Sequence, residues 1–315
     1  RGSWGLRNDL DYAKRYAYNG RLSLGFQQFN NGFPTNDKRN KVTVSWNHRK
    51  APKSNPFWDF SSNVNFISDN QSKNSLDPIN PEYFSNSFNS DINLARNFPG
   101  KPINTGLKMS LRQNSIAKNI SLTSPVMNVN VTRVFPFKNV FETADKNWKK
   151  TIQQIGLTYN FETQNRSQFQ DELLTNGDFA AISQQFMNGV SQGLSIQTNA
   201  GLFKNAVKIN PSLNYGNKIN FQQIAKTYDP LANQTQVDTL RQMSMRHELN
   251  FSLTATTVLY GYYRFVGKRQ ARLRHLMTPN IGYRYTPGWN PLVSVNAGPN
   301  QSTITYSPFE RSVYS

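Results

Sequence analysis

Cysteine is absent from the 315 residues, which removes disulfides, thiolate metal sites and thiol nucleophiles from consideration. Histidine is nearly as scarce. His48, His247 and His275 lie far apart with no ligand spacing such as HExxH, so no metal site is expected. No GxSxG, Walker A or GxGxxG string occurs, and no catalytic residue is nominated. His247 and Glu248 adjoin, but neighbours on a strand point to opposite faces and cannot cooperate. The chain is therefore not expected to be an enzyme, and no cofactor is implied. Apolar residues are few as well, 37% of the chain, less than a soluble protein of this size uses to build a core. No stretch approaches the roughly 18 unbroken apolar residues of a membrane helix. Acidic residues number 18 against 36 Lys and Arg, a formal charge of +18. That excess suits a polyanionic setting: nucleic acid, acidic polysaccharide or phosphorylated lipid.

What is present is a rhythm of alternating apolar and polar residues. Leu22, Leu24 and Phe26 are every-second-residue neighbours, as are Val42, Val44 and Trp46. Leu107, Met109 and Leu111 repeat the pattern, followed by Ile155, Leu157, Tyr159 and Phe161, and then Leu249, Phe251, Leu253 and Ala255. Period two gives each strand one apolar and one polar face. Aromatics reach 13%, with 21 Phe and 14 Tyr, which argues against disorder. Strands of about 9–11 residues with this dyad pattern and aromatic rims belong to an outer-membrane barrel. The expected fold is all-β: an antiparallel, up-and-down transmembrane β-barrel wall of about 12 or more strands.

Breaks at Gly, Pro, Asn and Asp clusters place strands near 2–12, 17–28, 41–50, 57–69, 86–97, 104–114, 120–134, 151–164, 190–202, 206–221, 244–265 and 271–286. A thirteenth is expected after Pro291. Joints after odd strands are mostly tight: Ala13–Tyr16, Ala51–Pro56, Phe98–Ile103, Phe203–Asn205 and Val266–Gln270. Those after even strands are mostly long and polar: Phe29–Asn40, Ser68–Ser85, Asn165–Asn188 and Gln222–Met243. Short periplasmic turns and long extracellular loops have this asymmetry. Ser115–Asn119 and Phe135–Lys150 break the rule. Helix-like spacing from Asp171 to Met187 predicts a loop helix packed over the barrel mouth.

With the apolar face toward lipid, the other face lines the lumen. Arg21, Lys108, Arg112, Lys208, Arg246 and Arg284 fall there and are candidate contacts for anionic lipid; wall lining paired with a nearby acid or water is the plainer role for each. The aromatic and basic run Tyr260–Arg264, Lys268, Arg269 and Arg272 could be a stacking surface. An interfacial girdle above a basic turn accounts for it better, so no nucleic-acid partner is expected.

The segment Leu273-Arg274-His275-Leu276-Met277-Thr278-Pro279-Asn280-Ile281-Gly282-Tyr283-Arg284-Tyr285-Thr286-Pro287 resembles a signature of the LptD family, the lipopolysaccharide-assembly barrels of the outer membrane. The elements that carry it are Arg274, His275, Pro279, Tyr283, Tyr285 and Pro287. Arg1 to Leu6, Tyr12 to Gly20 and Arg133 to Lys138 are similar to the Bacteroidetes-type form. The resemblance implies a conduit in the outer membrane of a Gram-negative bacterium that receives lipopolysaccharide from a periplasmic Lpt bridge. It inserts that lipid into the outer leaflet and is plugged by an LptE-like lipoprotein. Residues 1–315 would then be part of a single barrel domain, without the amino-terminal periplasmic domain or the terminal strands that form the lateral gate. The cysteines that form disulfides in well-known members are not in this stretch. Arg274 and His275 also read structurally, as the anchor of a strand end with Pro279 at a bulge or interrupted pairing. A porin or solute receptor is the nearest alternative, and a secreted β-rich adhesin a further one.

Overall fold

The computed structural model describes residues 3–31, 37–51, 53–68, 87–114, 117–143, 146–232, 234–264, 272–289, 292–296 and 303–314. The chain runs through β1 (Trp4–Lys14), β2 (Tyr18–Asn31), β3 (Asp37–Lys50), β4 (Trp58–Ile67), β5 (Ser87–Asn97), β6 (Ile103–Asn114) and β7 (Asn119–Val134). Next come α1 (Asn147–Gln153), β8 (Gly156–Gln170), α2 (Asp171–Thr175), α3 (Phe179–Gln184) and β9 (Met187–Gln197). They are followed by β10 (Ala200–Leu202), β11 (Val207–Asn220), β12 (Gln223–Asp229), β13 (Gln234–Leu240) and β14 (Ser244–Thr257). The remaining strands are β15 (Leu259–Arg264), β16 (Arg272–Met277), β17 (Asn280–Tyr285), β18 (Val293–Asn296) and β19 (Thr303–Tyr306). Most of the expected joint Ser68–Ser85, and the turn Val266–Gln270, lie outside the described residues, as do Arg1, Gly2 and Pro291.

A single antiparallel sheet of 13 strands follows the order β1-β2-β3-β4-β5-β6-β7-β8-β9-β11-β14-β17, with β10 alongside β11. The sheet is not closed. Between neighbours on this path the connections run up and down, as alternating tight and long joints require.

Register keeps the two faces separate. Leu10, Leu22, Trp46 and Val64 form one row across β1 to β4. The neighbouring row on the other face is Asp11, Arg21, Asn47, Asn63, Asp91, Ser110, Thr123 and Arg166, one residue from each of β1 to β8. A slip of one residue would exchange the faces. Large side chains of the apolar face stand uncovered, Leu6 at 68% and Leu24 at 45% exposure, as a lipid-covered wall requires. Near the tight turns that face carries an aromatic group. Trp46 Nε1 donates to Tyr12 Oη (2.8 Å), which also meets His48 Nδ1 (2.9 Å); Tyr18 and Phe60 pack on the same imidazole. Arg96 lies 4.7 Å over Trp58 and 4.5 Å over Phe98 at the same end. Amphipathic rings of this kind settle where hydrocarbon meets water.

Strand β7 needs an extra device. Ile120 and Leu122 share the apolar face with Met127, Val129 and Val131, although the two sets differ in parity. Both of its pairings shift register by one residue around Ser124 and Pro125. This bulge restores the apolar set to the outer face. Side chains fill in for the lost ladder bonds: Asn165 Nδ2 donates to the Pro125 carbonyl (2.9 Å), and Met127 N donates to Thr163 Oγ1 (3.3 Å).

Several boundaries differ from the sequence reading. Thr151–Gln153 is the end of α1, so the strand expected over 151–164 starts at Gly156 and continues to Gln170. Its upper half carries Thr163, Asn165 and Ser167 on the apolar side, which hides the alternation. The loop helix is two helices, because Gly177 at φ 71° closes α2 and the Asp178 carboxylate caps α3 at Ala181 N (3.0 Å). They do not lie over the mouth. Leu173, Leu174, Ile182 and Phe186 pack on Leu111, Ile120, Leu122 and Phe169, covering the apolar face of β6 to β8 near its long-loop end. The joint Gln222–Met243 contains the hairpin β12–β13, and the strand expected after Pro291 is β18, paired with β19 outside the main sheet.

The expected crossings 244–265 and 271–286 form one long hairpin, broken in the middle. β14 pairs with β17 and β15 with β16 in the same register, so the two halves stay in phase. At the break Thr257 N donates to the Pro279 carbonyl (3.2 Å), and proline has no N–H to return. β15 and β16 extend about 20 Å past the tight-turn end of the sheet.

Candidate functional site

The polar face of the sheet gathers the basic residues. Arg21 lies 3.9 Å from Asp9 and 3.7 Å from Asp11, and Lys108 lies 3.7 Å from Asp91. Arg246 and Lys218 share Glu248 at 3.1 and 3.3 Å. Arg284 donates to Asn250 Oδ1 (3.2 Å), which also accepts from Thr286 Oγ1 (2.7 Å). Lys208 stands opposite Thr256 and Gly201. All six basic residues singled out from the sequence thus project from one face, but in separate places. Lys108 and Arg112 share a concavity over β6 to β8; Arg21 lies over β1 to β3; Lys208, Arg246 and Arg284 lie over β11, β14 and β17. Half-exposed pairs such as Arg21–Asp9 are screened by water and contribute little to stability.

Further cations on this face escaped the sequence reading, Lys218 and Arg166 among them. Lys218 was legible, being in phase with Lys208 on the same strand. Arg166 was not, because the polar run after Phe161 reads as loop; it stands level with Ser110 and Thr123.

The family-type residues lie apart from these. Arg274 is on β16, its guanidinium 4.6 Å over the Tyr260 ring, and His275 stands opposite Gly261. Tyr283 and Tyr285 face Leu253 and Phe251 on the apolar side, and Pro287 follows the end of β17.

A segment after β19 crosses the polar face. Ile224 N donates to the Pro308 carbonyl (3.0 Å), and Lys226 Nζ meets Glu310 Oε2 at 2.7 Å. Tyr314 N donates to Asn220 Oδ1 (3.3 Å) and its hydroxyl to Glu162 Oε1 (3.1 Å). Its ring fills the space over Gly189, where a Cβ would lie 2.9 Å from Cδ2. Burial and the adjacent Glu162 carboxylate raise the Tyr314 pKa well above its usual value.

Among the described residues no helix is long and apolar enough to cross a membrane, and no group of three or more His, Asp or Glu could hold a metal. An antiparallel sheet with an unburied apolar face and a charged polar face defines a wall of the membrane β-barrel class. The family described as LptD protein matches residues 1–315, and the chain belongs to that family. It is a family of lipopolysaccharide transport at the outer membrane of Gram-negative bacteria. No curated protein matches the chain.

Proposed function

We propose that this wall lines a conduit that inserts lipopolysaccharide into the outer leaflet of the outer membrane. In this reading it is plugged by an LptE-like lipoprotein and loaded through a periplasmic Lpt bridge. The observation that supports it is the segregation of charge: Arg21, Lys108, Arg112, Lys208, Arg246 and Arg284 share the polar face, opposite an apolar face suited to lipid. Phosphorylated sugars need a wet, cationic route, and charge-assisted hydrogen bonds to Arg and Lys provide it. Arg274 and His275 act structurally here, stiffening the hairpin that carries Pro279.

Depletion of the full-length protein in its host tests the reading. Newly made lipopolysaccharide is expected to accumulate in the inner membrane or periplasm. Normal surface lipopolysaccharide after depletion would overturn it. Free ion flux through the purified protein in planar bilayers would instead favour a porin.

A further inference from the structure

The concavity over β6 to β8 differs from the neighbourhoods of Arg21 and Arg246 in its balance of charge, and it brings three cations together. It holds about 410 Å³ and is lined by Lys108, Arg112 and Arg166, with Ser110, Thr123 and Glu162 among the other groups. Lys108 and Arg112 stand two residues either side of Ser110, about 14 Å apart along β6. Arg166 is level with Ser110 but two strands away, about 10 Å across the sheet. The three cations therefore surround Ser110 and Thr123 as a triangle, close enough for long side chains to meet over the hydroxyls.

Local acids do not neutralise them. Among the described residues Arg112 and Arg166 have no carboxylate within ion-pair distance, and Lys108 has only the half-exposed Asp91 at 3.7 Å. Glu162, the carboxylate in the lining, accepts the Tyr314 hydroxyl. At two other places on this face the arrangement is the reverse: Arg21 lies between two aspartates, and Arg246 is held by Glu248, while Arg284 meets the Asn250 amide instead of a carboxylate. The β7 bulge at Ser124 and Pro125 lies between Lys108 and Arg166, where it locally reshapes the wall.

We propose that Lys108, Arg112 and Arg166 form a binding subsite for a phosphate monoester carried on a sugar. Three cations approaching from three directions suit the three terminal oxygens of a tetrahedral phosphate better than a planar carboxylate. Ser110 and Thr123 supply hydroxyl donors at the floor. The subsite rests on the transport reading and adds a defined stop for the anionic headgroup along the polar face.

Site-specific photocrosslinking in the full-length protein tests it, with a benzoyl-phenylalanine reporter at Val126 in the concavity and a second at Thr254 on the far part of the same face. The probes are native, phosphatase-treated and carboxyl-reduced lipopolysaccharide. At Val126 the adduct is expected to fall about tenfold with the phosphatase-treated probe, and by at least as much in the Arg112→Gln/Arg166→Gln double variant. It should persist with the carboxyl-reduced probe and in the control Arg7→Gln, whose charge is already held by Asp9 at 3.0 Å. The Arg112→Lys/Arg166→Lys pair keeps the charge and should retain most of the adduct, which reads the site even if the glutamine pair assembles poorly. A Val126 adduct indifferent to phosphate removal and to both variants, with Thr254 still labelled, would overturn the subsite alone. Loss of the adduct with the carboxyl-reduced probe would overturn the choice of phosphate. Absence of any adduct at either reporter would sink the transport reading beneath it.

Discussion

Tyr314 illustrates what a single side chain does on the polar face. Its ring occupies the notch over Gly189 and its hydroxyl reaches Glu162. Tyr314→Phe removes one hydrogen bond to a carboxylate and is expected to weaken docking of this segment by about 1 kcal/mol. Faster protease cleavage between β19 and Tyr314 would report it; an unchanged cleavage rate would show that the ring alone holds the segment. The ion pair Lys226–Glu310 adds a pH dependence. Hydrogen bonding from Lys226 lowers the Glu310 pKa below its usual 4.5. A depressed carboxyl pKa contributes stability above the unfolded value, and that contribution is lost as pH falls through the folded one. Tyr314 has the opposite sign: its raised pKa stabilises below about 10 and the contribution is lost as pH climbs further. Protection of the segment is therefore expected to be flat near neutrality and to fall at both extremes. None of this was legible in the sequence, since Tyr314 and Glu162 are 152 positions apart.

At the scale of the strand, register determines what a substitution costs. Leu24 and Ser23 adjoin on β2 but stand on the apolar and polar faces respectively. Leu24→Arg is expected to cost about 2–4 kcal/mol near the midplane, whereas Ser23→Arg should be close to neutral. Denaturant titration of the protein folded into bilayers measures both, and equal costs would mean that the faces are assigned wrongly. Strand periodicity was readable for β2, β3, β6 and β11 because an apolar run occupies consecutive outward positions in each, such as Leu22, Leu24 and Phe26 or Val42, Val44 and Trp46. It failed where something else covers the outward face. Beneath α2 and α3 the outer positions of β8 include Asn165, Ser167 and Phe169, so alternation faded and Arg166 was read as loop. The β7 bulge was invisible for a related reason: two runs in opposite phase read as one strand until the partners show the extra residue.

For the whole molecule, the uncovered apolar face requires a hydrocarbon environment. Tryptophan fluorescence of protein reconstituted in vesicles is expected to be quenched by lipids brominated near the headgroup, because Trp4, Trp46 and Trp58 are on or beside that face. Protein that stays dispersed without detergent and is not quenched would indicate the secreted, adhesin-like alternative. The sequence by itself determined the all-β class, the two-faced strands and the side on which its six nominated cations would stand, because side-chain direction on a strand depends only on parity. Tertiary structure decided which cations are already neutralised, and which three come together. Those outcomes depend on cross-strand register, on the one-residue shift in β7 and on where Asp91, Glu162 and Glu248 fall, and a bulge or a slipped pairing leaves no mark in local alternation.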